Sequence, residues 1–254
     1  MKLGGFKPAK RLRWLLGIMA LVMLLPPLRV ISWLGGRDFA MKYWGKVLLA
    51  TFGIKVHSSG SIPPKGSLVA FNHVSFFDPI VIGSVYPGSF LSKAEVDSWP
   101  FVGFAARIGK TIFIERESLK NSRSALTPIV KNLTSGERVY LFAEGGILGD
   151  GVTVELFRPM FFQAAMEAGA PVVPAALIYG GSAARKAWHW EDGSVAEHMR
   201  RNLFPEDGEI VVEVAFGDPI AYNPALTRKT LAAMAHHAVS ELVRARREGA
   251  IHEG

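Results

Sequence analysis

His73 and Asp78, a histidine and an aspartate five residues apart, are the pair in this chain best suited to chemistry. A histidine with its reference pKa of about 6.5 can accept a proton from a hydroxyl near neutral pH. A carboxylate on the other ring nitrogen would fix the tautomer and stabilise the imidazolium as the proton arrives, which is a catalytic triad without its serine. The nucleophile would then be a hydroxyl of the substrate itself. Spacing alone leaves a plainer reading open, in which Asp78 only caps a helix and His73 only completes a turn.

The pair lies in the stretch Asn72 His73 Val74 Ser75 Phe76 Phe77 Asp78 Pro79. Residues 68–71 before it are apolar and bounded by Gly66 and Asn72, which predicts a short buried strand. Asp78 and Pro79 predict the N-cap and first helical position of a helix through residues 80–85. His73 is thereby expected in a strand-to-helix turn. In open α/β sheets ligands bind at such C-terminal strand ends.

Asn72, His73 and Asp78 match the Asn-His-x4-Asp block of the glycerolipid acyltransferase superfamily, which includes the lysophosphatidic acid acyltransferases. Gly109 Lys110 Thr111 Ile112 Phe113 Ile114 Glu115 Arg116 resembles that family's second block, Phe142 Ala143 Glu144 Gly145 Gly146 the third, and Val172 Val173 Pro174 Ala175 Ala176 Leu177 the fourth. Lys93 Ala94 Glu95 Val96, with Trp99, Pro100 and Gly103, resembles a bacterial subgroup. The resemblance implies an O-acyltransferase that moves a fatty acyl group from a thioester, on acyl carrier protein or coenzyme A, to a hydroxyl of a lysolipid. His73 would be the base and Asp78 its orienting carboxylate. Asn72, Lys93, Arg116, Glu144, Gly145, Gly146 and Arg158 would surround the acceptor. A glycine-rich turn also leaves backbone N–H groups, here those of Gly145 and Gly146, free to face a developing oxyanion. The scheme needs no metal and no resident cofactor.

The third block departs from the common Phe-Pro-Glu-Gly-Thr-Arg: Ala143 replaces the proline, Gly146 the threonine and Ile147 the arginine. That arginine contributes to phosphate binding in the family. Arg116 and Arg158 remain as candidate cations. The breadth of the resemblance puts 1-acyl-sn-glycerol 3-phosphate first as acceptor, giving phosphatidic acid. Some relatives that lack the arginine acylate lyso-ornithine lipid, and Asp150 Gly151 with Leu156 Phe157 Arg158 loosely fits their pattern. A reading of another class is a non-catalytic membrane-binding member of the fold.

Other chemistries find less support. A phosphate loop ending at Gly109 Lys110 Thr111 would need glycine where Phe104 stands. The hydrolase elbow Gly-x-Ser-x-Gly fails at Ala184. The remaining histidines have no metal-ligand spacing, and zero cysteines exclude disulfides and thiolate chemistry.

The elements that must position these residues follow from length and patterning. At 254 residues the chain suits one sizeable core. Its net charge of +7 favours an anionic partner, here taken as a lipid surface and not nucleic acid. Lys2, Lys7, Lys10, Arg11 and Arg13 precede the apolar run of residues 14–28, an order that suits a membrane segment with a cytoplasmic basic flank. The run is short for a span, and Pro26 and Pro27 are expected to break it, which favours re-entry over crossing. A cleaved signal peptide competes, but Trp33, Leu34 and Arg37 occupy the place of a small-residue cleavage site. Residues 39–56 read as an amphipathic helix in the membrane interface.

Further along, strands are expected over residues 89–92, 111–115, 139–143, 171–178 and 209–216, and helices over 99–108, 117–133, 158–168 and 226–247. Lys93 and Arg116 would follow strands neighbouring the His73 strand. The expected architecture is α/β: a single mixed, mostly parallel sheet flanked by helices, with an N-terminal membrane-associated helical element. Residues 1–56 would form that element and 57–254 the catalytic domain, at the cytoplasmic face of the inner membrane.

Overall fold

Leu68–Phe71, the apolar run ahead of the histidine, is a strand with all four residues fully buried. Such a strand needs cover on both faces, and the chain supplies it. The structure, a computed structural model, describes residue 19 and residues 22–99, 102–115, 122–147, 151–182 and 209–252. Arg116, Asp150, Trp188 and Trp190 lie outside them, as do the basic residues before position 14. Within them are strands β1 (Ile54–Ser59), β2 (Leu68–Phe71), β3 (Ser89–Lys93), β4 (Ile112–Ile114), β5 (Val139–Phe142), β6 (Val172–Gly180) and β7 (Ile210–Phe216). The helices are α1 (Arg37–Thr51), α2 (Asp78–Val85), α3 (Val102–Ile108), α4 (Ser122–Thr134), α5 (Phe162–Ala168) and α6 (Arg228–His252).

The strands form one sheet in the order β1-β7-β6-β2-β5-β3-β4, with β2 at its centre. Every neighbouring pair is parallel except β6 with β7, so the sheet is mixed and mostly parallel as expected. Alternate residues of β2 serve opposite faces. Val69 and Phe71 meet Leu49 of α1 and Val81 and Ile82 of α2. Leu68 and Ala70 face the side covered by Ile129 of α4, Phe162 of α5 and Val239 of α6. Burying Leu68, Val69 and Phe71 contributes roughly 1.5–3 kcal/mol each, which holds the root of the His73 turn rigid.

Three expectations need correction. The helix read over residues 39–56 ends at Thr51, and the chain enters the sheet at Ile54, where β1 pairs with β7. Lys55 and His57 alternate with Ile54 and Val56, a two-residue period that becomes informative only once a partner strand is in place. Residues 22–31 stay helical through Pro26 and Pro27. Proline keeps a helical φ, and the lost amide bond and the crowding of the carbonyl four residues back do not end the helix here; the non-helical residue is Gly35, with φ 92°. After α3 the left-handed residue is Lys110, with φ 54°. Finally, β3 and β4 do not neighbour β2, because β5 intervenes.

Among the described residues no helix is long and apolar enough to cross a membrane. The N-terminal helices are nonetheless fastened to the domain. Arg37 donates two hydrogen bonds to Glu137 ahead of β5, at 3.0 and 2.8 Å. Gly45 of α1 lies so close to α2 that a β-carbon there would sit 3.1 Å from Ser84 Cβ and 3.2 Å from the Ile80 carbonyl oxygen. This close packing fixes α2, the helix that begins with Asp78.

Candidate active site

Where β2 ends, its pairing with β6 stops at Phe71 and Ala175. Beyond that register the Leu177 peptide would lose its partner on this side. Asn72 supplies one: its Oδ1 accepts from Leu177 N at 2.8 Å, and its Nδ2 donates to Leu177 O at 3.0 Å. The side chain acts as a further rung of the ladder. Asn72 is expected beside the acceptor, but both ends of its amide are engaged with β6.

Asp78 is not the expected N-cap. Phe77 holds that position, and no side chain caps α2. The Asp78 carboxylate turns back over the loop, fully buried. Its Oδ2 accepts from Val74 N at 2.7 Å and Ser75 N at 2.9 Å, and meets His73 Nδ1 at 2.8 Å. Its Oδ1 accepts from the Tyr179 hydroxyl at 2.6 Å. Four donors around one buried carboxylate are what an anion in that position requires. An ionised carboxylate can only accept, so Nδ1 carries the proton and Nε2 keeps a free lone pair.

The imidazole is 18% exposed and stacks on Phe142, with ring centroids 4.0 Å apart and planes inclined by 13°. Phe142 ends β5, the other neighbour of β2. Glu144, two residues later, is 3% exposed and joins two loops. Its Oε2 accepts from His73 N at 3.0 Å and its Oε1 from Glu155 N at 3.1 Å. Burial pushes the Glu144 carboxyl up to about 7, against the downward pull of those two amides. The folded protein therefore keeps a proton that an exposed glutamate loses near pH 4.3. Folding stability from this group falls as pH rises from about 4.5 to about 7 and is constant outside that window. Glu144→Gln is expected to abolish that slope, measured as denaturant midpoints at about pH 5 and pH 7.5 beside the unchanged protein.

The turn after Glu144 brings Arg158 to the site. Gly145 has φ +83°, and a β-carbon there would lie 2.7–2.9 Å from Arg158 Nε, Cδ and Cζ, so the guanidinium crosses the turn where only glycine leaves room. Arg158 N donates to Ala143 O at 2.8 Å, and among the described residues no carboxylate pairs with its exposed side chain. The Gly145 amide donates to Phe142 O at 3.1 Å, within its own turn. Lys93 is exposed at the end of β3, two strands from β2. The structure thus gathers Asn72, His73, Asp78, Glu144, Gly145 and Arg158 around one strand end. Tyr179 and Phe142 complete the histidine's surroundings; Phe142 opens the third block of the family resemblance, whereas neither spacing nor motif singles out Tyr179.

Three comparisons bear on this arrangement. The family model described as Acyltransferase matches residues 53–178. The chain is 32% identical over 205 residues to the lyso-ornithine lipid O-acyltransferase of Pseudomonas aeruginosa, covering 80% of this chain and 78% of that one. It is 35% identical over 145 residues to the 1-acyl-sn-glycerol-3-phosphate acyltransferase of Neisseria gonorrhoeae, covering 56% of each. In architecture it is similar to the crystal structure of the 1-acyl-sn-glycerophosphate acyltransferase of Thermotoga maritima, with a TM-score of 0.66, 19% identity, and coverage of 94% of this chain and 97% of that one. That likeness concerns the fold alone.

Proposed function

This chain belongs to the acyltransferase family, and we propose that it is a membrane-associated lysolipid O-acyltransferase in which His73 is the general base. The observation that carries the reading is the His73–Asp78 contact at 2.8 Å, which leaves Nε2 as the basic nitrogen on a ring open to the surface.

In this mechanism Nε2 takes the proton of the acceptor hydroxyl as its oxygen attacks the thioester carbonyl. The imidazolium forms against the Asp78 carboxylate. Backbone N–H groups of the glycine turn meet the oxyanion, with Gly146 the better candidate because the Gly145 amide is engaged with Phe142. The thiolate then leaves. A thiol pKa of about 8.5 makes that departure easy, and His73 returns the proton. Phe142 fixes the plane of the ring, Asn72 and Glu144 hold the turn, and Lys93 and Arg116 are further cations for the acceptor or the donor. The donor is an acyl thioester of acyl carrier protein or coenzyme A.

The membrane reading draws on the N-terminal helices. Met23, Val30, Trp33, Leu34, Phe39 and Tyr43 are all exposed there, Trp33 by 83%. Lys42 and Lys46 are exposed on α1 beside them. Large apolar side chains mixed with lysines suit a helix lying in an anionic lipid interface. The cytoplasmic face of the inner membrane is the location consistent with a soluble thioester donor.

Two acceptors fit. 1-Acyl-sn-glycerol 3-phosphate is carried by the breadth of the family. Lyso-ornithine lipid is favoured by Ile147 in place of the family arginine and by the longer alignment to the Pseudomonas protein. Both carry an anionic group, a phosphate in one and a carboxylate beside an ammonium in the other, and Arg158 over Gly145 is the cation proposed to receive it. Thiol release from a long-chain acyl thioester in lipid micelles, with each lysolipid in turn, tests the proposal. Faster release with one acceptor identifies it; silence with both means a different acceptor or a non-catalytic member of the fold. Arg158→Ala is expected to raise KM for the active acceptor about tenfold with kcat little changed. An unchanged KM would move the anion site elsewhere.

A further inference from the structure

Strand β6 reaches the His73 turn twice. Leu177 does so through its backbone, held by Asn72, and Tyr179, two residues on and on the same face, through its hydroxyl. The first contact positions the turn. The second touches the carboxylate that holds the histidine.

Tyr179 is 2% exposed, in the apolar layer with Leu177, Val212 and Val214. A phenylalanine would fill that space equally well, so the hydroxyl has to be explained by its partners. It donates to Asp78 Oδ1 at 2.6 Å. The Ser75 hydroxyl also hydrogen-bonds to it, and burial together with the Asp78 charge keeps the phenol well above its ordinary pKa. The phenolic proton therefore stays on Tyr179 and points at Asp78. It meets Oδ1, whereas Oδ2 faces the turn and the imidazole.

We infer that Tyr179 is a positioning residue for acyl transfer, holding Asp78 from behind and limiting how strongly that carboxylate draws the His73 Nδ1 proton. The inference rests on the reading of His73 as the base. The physical chain is short. A strong donor on Oδ1 disperses the carboxylate's charge. Less charge then faces Nδ1, and the imidazolium is stabilised less than it would be without that donor. Among the described residues the other ionisable groups around the pair are Glu144, whose Oε2 meets the His73 amide, Glu155, which acts on Glu144, and Arg158 across Gly145. Removing the phenol takes away the donor to Asp78 Oδ1 and the Ser75 hydroxyl's partner, and leaves the Glu144 contact with the His73 amide in place.

The experiment titrates the His73 imidazole by NMR in the full chain and, in parallel, measures kcat/KM for thioester turnover against pH. In Tyr179→Phe the His73 midpoint is expected to rise by about half a pH unit to one unit, and the acid limb of kcat/KM to move with it. The loss should reach several-fold below the limb and largely vanish above it. Replacing Tyr179 by 3-fluorotyrosine, a stronger donor that keeps the packing, should shift the midpoint the other way, which covers the case of a poorly folded phenylalanine variant. An unmoved midpoint in both variants, or a loss uniform across pH, overturns the inference. A midpoint that moves while the kcat/KM limb stays still upholds the coupling and instead removes His73 from the role of base.

Discussion

His73→Ala is expected to fold like the unchanged protein and to lose about a hundredfold to ten-thousandfold of its turnover. Folding should survive because the structural duties of this position are carried by its backbone. The His73 amide that donates to Glu144 at 3.0 Å remains in alanine. Asp78 keeps Val74 N, Ser75 N and Tyr179 as donors. What disappears is the imidazole, stacked on Phe142 and partly open to the surface. Thiol release checks the rate, and near-ultraviolet circular dichroism checks the fold. Turnover at the wild-type level in a folded His73→Ala protein would end the general-base mechanism.

Changes at Asp78 should strike fold and rate together. Asp78→Ala leaves Val74 N, Ser75 N and the Tyr179 hydroxyl facing a buried gap where the carboxylate stood. Unmet buried donors and the lost anion place the destabilisation at about 3–5 kcal/mol, enough to endanger a domain of ordinary stability. Asp78→Asn is the more informative variant. With its carbonyl oxygen in the Oδ2 position it can still accept from the two amides and His73 Nδ1, and its NH2 group can donate to Tyr179, whose proton would have to turn away. The variant should fold with a lowered Tm, yet without a charge to stabilise the imidazolium its turnover should fall on the order of a thousandfold. Thermal unfolding beside thioester turnover separates the effects. A folded Asp78→Asn protein with near-normal turnover would make Asp78 a structural ligand of the turn and nothing more.

Much of the frame around this pair is legible in the amino-acid sequence. The apolar run of residues 68–71 bounded by Gly66 and Asn72 reads as a buried strand, and it is β2. The strand ending near Ala143 and the glycine turn after it are equally plain, as are β6 and the C-terminal helix. These are short-range features, set by periodicity and by turn-forming residues. The two departures at the N-terminal end have a common origin. An apolar pattern continuous with α1 hides the two-residue period of residues 54–57, which becomes a strand because β7 is there to pair with it, and the prolines at 26 and 27 look like a break when taken without the rest of their helix. Asp78 beside Pro79 looks like a cap for the same reason: locally a cap is the best use of that carboxylate, until three nearby donors and a distant tyrosine compete for it.

The sequence by itself determined the histidine–aspartate pair, the strand that precedes it, the glycine turn and the kind of chemistry a histidine with a carboxylate can perform. Tertiary structure decided what surrounds that pair. Tyr179 is 101 residues from Asp78 and Glu144 is 71 from His73, and no periodicity spans such distances. They meet because β2 lies between β5 and β6 in parallel register, which brings the C-terminal ends of all three strands to one edge of the sheet. Strand order arises from burying every apolar face at once, a property of the whole chain that no single stretch contains.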